Sequence, residues 1–541
     1  MGQLTTQDLL ERLEKLNVLG IALSAEKDTQ RLLENILLDA KLLVHADAGT
    51  LYRVVDDKLK FEAMRTDSLK IAMGGTTGAT IPFAPLPLYL ENGVPNNSMV
   101  VAYAVLNRKT VNITDAYAEA GFDFSGTRNF DKNTGYRSKS FLTVPMKNHE
   151  NEVIGVLQLL NSVDPETKQI VAFSKEDQQL VESLASQAAV ALTNRLLIDQ
   201  LEELFESFIN LINLAIDEKS PYTGGHCQRV PVLAMMLAES VNAAKHGTLK
   251  DFQLDEKDRY ELKIAALLHD CGKVTTPVHV VDKATKLQTI IDGIELVNAR
   301  FEVLKRDAEI ETLHKRLARA SEDAQFAAQA QQELEGRLRQ LDDDGEFLRK
   351  TNVGGEFLSR EAQDRVRAIG RYTWRNGVNG ESGFLTPYEA ENLCIARGTL
   401  SDEDRKIINY HVVATIKMLE ALPWPRHLRN VPEFAGGHHE RVDGKGYPKG
   451  LLGNQMSVQA RILAVADVFE ALTAKDRPYK PGKTLTEALT ILGKMKLENH
   501  IDADLFDIFV REKVYLRYAE LFLEPAQIDA VDLTKIPGYN A

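Results

Sequence analysis

The heptapeptide LLHDCGK, residues 267–273, ends an apolar run on two adjacent ionisable side chains, His269 and Asp270. A helix that carries IAALLH (264–269) into a core and stops on an imidazole and a carboxylate must give both a partner, because burying a charge alone is costly. A divalent cation removes that cost. Imidazole with carboxylate suits Fe, Mn or Zn, and a carboxylate can bridge two ions where one imidazole cannot.

Working outward, the same residue types recur in four places. PYTGGH ends at His226, INYHVV contains His411, GGHHERVDGKGYPKG (436–450) contains His438 and His439, and ARILAVADVFEAL (460–472) contains Asp467. Taken singly, His411 suits a satisfied core histidine as well as a ligand, and Asp467 suits a buried capping acid. Taken with His269 and Asp270, they imply a metal cluster. Two metals roughly 3.5–4 Å apart clamp the attacking and leaving oxygens of a phosphoryl displacement and make hydroxide available near neutral pH. The class implied is metal-dependent phosphohydrolysis.

The 541 residues are 44% hydrophobic and 26% charged, with a net charge of −13. Such a chain is globular and multidomain. Its acidity argues against a nucleic-acid polymer as partner, since phosphate neutralisation needs clustered Lys and Arg. Cys227, Cys271 and Cys394 have neither the even count nor the CxxC spacing of a disulfide or thiolate site. No apolar run approaches the ~20 residues of a membrane span, so no membrane insertion and a cytoplasmic location are expected.

Residues 1–19 read as an N-terminal helix with Leu9, Leu10, Leu13 and Leu16 on one side. From 20 to 195, runs such as GTLYRVV, KSFLTVPM and EVIGVLQLLN, separated by Gly, Asn and Asp, predict an α+β domain. Val190, Asn194, Leu197, Leu201, Leu204, Phe208, Leu211 and Ala215 then alternate spacings of four and three. That heptad seam predicts a coiled-coil linker helix over 196–218 and a homodimer through it. The remainder, 219–541, reads as an all-α bundle interrupted at about 287–398. Within the interruption, apolar residues from Ile310 to Leu341 predict one long exposed helix, or half of a hairpin, ending at DDDG; a loop-rich stretch follows to about 385. SDED at 401–404 and TPYE at 386–389 open helices.

His226, His269-Asp270 and Asp467 resemble the H…HD…D pattern of the HD phosphohydrolases, and His411, His438, His439 and the GYP at 446–448 extend it to the HD-GYP signature. The resemblance implies hydrolysis of cyclic di-GMP to pGpG, in some members on to GMP. It assigns His226, His269, Asp270 and Asp467 to one metal and Asp270, His411, His438 and His439 to the other. Both would be divalent transition metals, Fe or Mn, with Zn also accepted. Asp270 and Lys273 become catalytic residues; Lys273, Tyr447, Arg477 and Lys480 become substrate contacts. Tyr222 stands where some members carry a bridging Glu, which implies two metals rather than three.

The block from Asn112 to Asn161, continued by FSKED at 173–177, resembles GAF domains, most of all those of cyclic-nucleotide phosphodiesterases. Asp115, Tyr117, Thr134 and Tyr136 are the effector contacts that this implies, with cyclic AMP or cyclic GMP as effector. Two other functions stay open: a catalytically silent protein that responds to cyclic di-GMP, and a hydrolase of cyclic GMP-AMP.

Overall fold

The alternating runs between residues 46 and 171 form one antiparallel sheet. Its strands are β1 (Ala46–Val55), β2 (Lys58–Thr66), β3 (Ile71–Gly74), β4 (Leu86–Pro87), β5 (Val111–Ile113), β6 (Phe141–Lys147), β7 (Val153–Val163) and β8 (Ile170–Val171). They lie in the order β3-β2-β1-β7-β6-β5, with β4 on β2 and β8 on β7. Helices α1 (Thr6–Ala25), α2 (Thr29–Leu43) and the start of α5 (Lys175–Lys219) cover one face through Leu33, Leu37, Leu157 and Leu184. Helix α3 (Val100–Asn107) covers the other through Val101, Val105 and Val156, and α4 (Ser125–Thr134) follows β5 in the chain. Helix α1 runs past the expected limit at residue 19, because Leu23 joins Leu16 in the core.

The computed structural model describes residues 6–219, 225–245, 247–318, 324–355, 357–376, 380–475 and 482–539. It divides into two units, Met1–Glu206 and Ser207–Ala541. Among the described residues, no helix is long and apolar enough to cross a membrane.

In the first unit, Glu34 on α2 receives the guanidinium of Arg65 and the Thr76 amide, the latter at 2.8 Å. Burial works against the Glu34 carboxylate, but Thr76 and Arg65 outweigh it and hold its pKa at about 2 against a usual 4.5. A folded-state pKa below the unfolded one stabilises the fold above pH 4.5 and loses that stabilisation as pH falls toward 2. Glu34→Gln should therefore flatten the acid dependence of hydrogen exchange in the α2 and β2 amides. Wild type and variant losing protection in parallel would rule the linkage out.

The second unit is built on helices α6 (His226–Asn242), α7 (Glu256–Leu268), α8 (Val278–Val281), α9 (Ile294–Ala318), α10 (Ala324–Asn352), α11 (Arg360–Gly370), α12 (Pro387–Leu393), α13 (Asp402–Glu420), α14 (Val431–Gly436), α15 (Val458–Thr473), α16 (Leu485–Leu497), α17 (Ala503–Arg511) and α18 (Val514–Phe522). Helices α6, α7 and α15 to α18 share a core that includes Leu237, Leu262, Phe469, Phe509 and Tyr518. The capping box expected at Ser401 is present, closed by Asp404, and the helix expected at TPYE opens with Pro387 in its first turn and a further box between Thr386 and Glu389.

The stretch between α8 and α13 has its own core, with Phe301, Leu348, Val366 and Phe384. Its long helix is split. Residues 310–318 end α9 and 324–341 belong to α10, and the two run antiparallel, with Arg349 on Asn298 at 3.2 Å and Arg337 on Glu311 at 3.3 Å. Helix α10 continues through DDDG to Asn352, because Asp344 accepts from Arg365 at 2.9 Å and Tyr372 at 2.8 Å, while Gly345 lies against the Phe301 ring. The stretch expected to be loop-rich holds α11 and a short hairpin, β9 (Thr373–Asn376) with β10 (Gly380–Gly383), so the insertion is not purely helical. Its base is tied down by the buried Lys283, which donates to Asp404 at 2.7 Å and Asn392 at 3.0 Å.

Candidate metal centre

Helix ends deliver most of the candidate ligands. His226 is the first residue of α6, after Gly225 in the left-handed region at φ 85°. His269 ends α7, and the 3-10 turn Cys271–Thr275 swings Asp270 and Lys273 into the same space. That turn packs on α13 so closely that a Cβ on Gly272 would stand 2.0 Å from the His411 carbonyl oxygen. The Gly272 amide donates to the Thr415 hydroxyl at 2.9 Å, which locks the HD turn beside His411. His438 and His439 follow α14, and Asp467 projects from the middle of α15.

All seven expected metal ligands come together, and six of them are buried, His439 being half-buried. Asp270 Oδ2 lies 3.1 Å from His226 Nε2 and 3.1 Å from His269 Nε2. Asp467 Oδ1 lies 3.2 Å from His226 Nε2. The other oxygen of Asp270, Oδ1, lies 3.2 Å from His411 Nε2 and 3.9 Å from His438 Nε2. His411, His438 and His439 form a second group with ligand atoms within 4.8 Å of one another.

The tautomers follow from the backbone. His269, His411 and His438 each donate Nδ1–H to the carbonyl three residues back, Ala266 at 2.8 Å, Ile408 at 2.6 Å and Ala435 at 2.6 Å. Their Nε2 atoms are then bare lone pairs facing carboxylate oxygens. Asp270 Oδ1, His411 Nε2 and His438 Nε2 are buried and have no hydrogen-bond partner. Three acceptors aimed at one point repel one another unless a cation lies among them, so this donor set fits a divalent metal.

Burial works against the Asp270 carboxylate, yet Lys273 and the neighbouring imidazoles outweigh it and hold its pKa well below the usual range. Asp467 is held low in the same way, chiefly by His226. Burial, helped by neighbouring positive groups, pushes His438 well down and His439 to about 4, so both stay neutral and able to ligate. Lys273 Nζ sits 2.5 Å from Asp270 Oδ2. Burial raises the Cys227 thiol to about 12 and the Cys271 thiol to about 11, which leaves both inert beside the cluster.

At the rim, the Tyr447 ring stacks on His439 with centroids 4.8 Å apart. Its loop is organised by Glu440, a buried carboxylate that accepts from the amides of Lys449 at 2.7 Å and Leu451 at 2.9 Å. Arg441 and Asp443 form a two-pronged ion pair at 3.0 and 2.8 Å. Arg477, Lys480 and Tyr222 lie outside the described residues.

Sequence reasoning missed Glu470. One turn beyond Asp467 on α15 and fully buried, it hydrogen-bonds His226 Nδ1 through one oxygen and accepts from Arg229 Nε at 2.7 Å through the other. A second acid inside the apolar run of α15 was the available signal.

In the first unit, Asp115 accepts the Tyr117 amide at 2.9 Å, and the Thr134 hydroxyl donates to the Phe130 carbonyl at 2.8 Å. The Tyr117 hydroxyl donates to Asp131 at 2.8 Å under the Arg137 guanidinium, and the Tyr136 hydroxyl donates to Asp47 at 2.7 Å. Tyr117 and Tyr136 thus bind carboxylates, while Asp115 and Thr134 bind backbone.

A GAF domain model matches residues 28–192, and HD domain models match 223–345 and 381–505. A cyclic di-GMP phosphodiesterase of Thermotoga maritima is 32% identical over 196 residues, 31% of this chain and 52% of its own. A cyclic di-GMP phosphodiesterase of Pseudomonas aeruginosa is 46% identical over 114 residues, 21% of this chain and 26% of its own. A 3'3'-cGAMP-specific phosphodiesterase of Vibrio cholerae is 46% identical over 81 residues, 15% of this chain and 19% of its own. The matches thus span about half or less of these relatives' lengths.

Proposed function

From the premise that this chain joins a GAF domain to an HD domain, we propose that it is a metal-dependent phosphodiesterase of HD-GYP type, hydrolysing cyclic di-GMP to pGpG. The observation that carries this is Asp270, whose two oxygens face two separate groups of histidine lone pairs. His226, His269, Asp270 and Asp467 would hold one divalent ion, and Asp270, His411, His438 and His439 the second. Bound there, Fe or Mn would act as Lewis acids and draw a nucleophile from water near neutral pH.

The chain's own groups bind and orient. Lys273, half-buried beside Asp270, supplies a fixed positive charge for a phosphoryl oxygen, an interaction that strengthens as charge develops. Burial and the charges of Asp467 and Asp270 raise the Tyr447 pKa, so its phenol stays a hydrogen-bond donor on the substrate side. Arg477 and Lys480 complete the phosphate contacts in the same scheme. Regulation would come from a cyclic AMP or cyclic GMP effector at Asp115, Tyr117, Thr134 and Tyr136; the GAF sequence pattern supports it.

One observation favours a second substrate, the relative named for 3'3'-cGAMP. Side-by-side turnover of cyclic di-GMP and cyclic GMP-AMP by the full chain tests the assignment. Faster hydrolysis of cyclic di-GMP is expected; turnover of cyclic GMP-AMP alone would reassign the substrate, and turnover of neither would leave the silent cyclic di-GMP-responsive protein.

The homodimer belongs to the same proposal. Val190, Leu197, Leu201, Leu204, Phe208 and Leu211 on α5 are all exposed in a single chain, and a second copy of the seam would bury them. Leu201→Glu with Leu204→Glu should halve the mass seen in sedimentation equilibrium. An unchanged mass would place the dimer contact elsewhere.

A further inference from the structure

Four buried histidines of the centre need their Nδ1 hydrogen fixed so that Nε2 points inward. Three of them use a carbonyl one turn back, which the final turns of α7 and α14 and the interior of α13 supply. His226 is held differently. It is the first residue of α6, directly after Gly225. Its acceptor comes instead from another helix, as the Glu470 carboxylate, which is 0% exposed. Glu470 lies three residues beyond Asp467 on α15, on the same face, so one helix supplies both an inner carboxylate and the partner of the imidazole beside it. Arg229, one turn along α6, holds the far oxygen of Glu470 at 2.7 Å. Gly225 leaves the space for it: a Cβ there would stand 2.6 Å from the Arg229 guanidinium.

We infer that Glu470, held by Arg229, is a positioning residue that sets the affinity of one metal, the ion bound by His226, His269, Asp270 and Asp467. The inference rests on the two-metal reading above. A carboxylate partner makes an imidazole a stronger donor than a carbonyl does, and fixes its ring. Only the first ion touches His226, so loss of Glu470 acts on one of two sites.

The test is Mn²⁺ binding to the full chain by equilibrium dialysis with metal analysis, without reference to activity. Wild type should take up two Mn²⁺. In Glu470→Gln, one binding step should weaken by roughly 10–100-fold, the range for outer partners of metal-ligating histidines, and the other should stay as in wild type. Arg229→Gln should weaken the same step by less, and it carries the test if Glu470→Gln fails to fold. Two unchanged steps would overturn the inference and leave the two-metal reading standing. Two equally weakened steps would reduce Glu470 to a general structural role and overturn it as well. Wild type that binds no Mn²⁺ would overturn both.

Discussion

Asp270→Ala should leave the chain unable to retain either metal or to hydrolyse cyclic di-GMP, while the first unit keeps its fold. The Asp270 carboxylate touches both groups, lying within 3.2 Å of His226, His269 and His411 and 2.5 Å from Lys273. Its removal takes away a ligand from each proposed ion and strands the Lys273 ammonium. Breaking a buried ion pair costs roughly 3–5 kcal/mol, and the partial exposure of Lys273 places this one at or below the lower end. Asp270→Asn separates the two effects, because the amide keeps the volume and loses the charge. Metal content, turnover and circular dichroism of both variants check the expectation. Retained turnover in Asp270→Ala would refute the assignment of the site.

Gly272→Ala should be nearly as severe, though the residue touches no ligand atom with a side chain. The added carbon would meet the His411 carbonyl oxygen at 2.0 Å and the Thr415 amide nitrogen at 2.5 Å, both rigid backbone of α13. Overpacking typically costs about 1–3 kcal/mol and occasionally more; a clash against helix backbone belongs at the upper end. Relief requires the HD turn to move away from α13, which draws Asp270 from His411 and costs the Gly272–Thr415 hydrogen bond. A lower melting temperature for the second unit and weaker binding of the ion at His411 are expected. Wild-type stability together with full metal content would contradict this packing argument.

The candidate ligands Asp467, His438, His439, His269 and Asp270 stood out in the sequence because they break a local pattern: an acid in the apolar run of α15, paired histidines after glycines, an imidazole and a carboxylate at the end of an apolar helix. Glu470 breaks the same pattern, but with Asp467 already explaining one acid in α15, its place opposite the opening of α6 emerges only from the tertiary fold. The alternating strands of the first unit were legible from their period. The α9–α10 hairpin was legible only as one of two readings, since the three-and-four apolar spacing runs on from α9 into α10 and Ile310, Leu313 and Leu317 stay exposed, as they would on one continuous helix. Arg441 and Asp443 had no assignable role in the sequence, because a pair two residues apart becomes a loop brace only once the loop is folded around Glu440.

The most direct test of the central claim is anaerobic purification of the full chain, with metal analysis and cyclic di-GMP turnover on the same sample before and after chelation. The account predicts two transition-metal ions per chain, linear pGpG as first product, and loss of turnover with the metals, restored by Mn²⁺. Hydrolysis that persists in the fully chelated protein, or two bound ions with no hydrolysis with or without cyclic AMP or cyclic GMP, would contradict it.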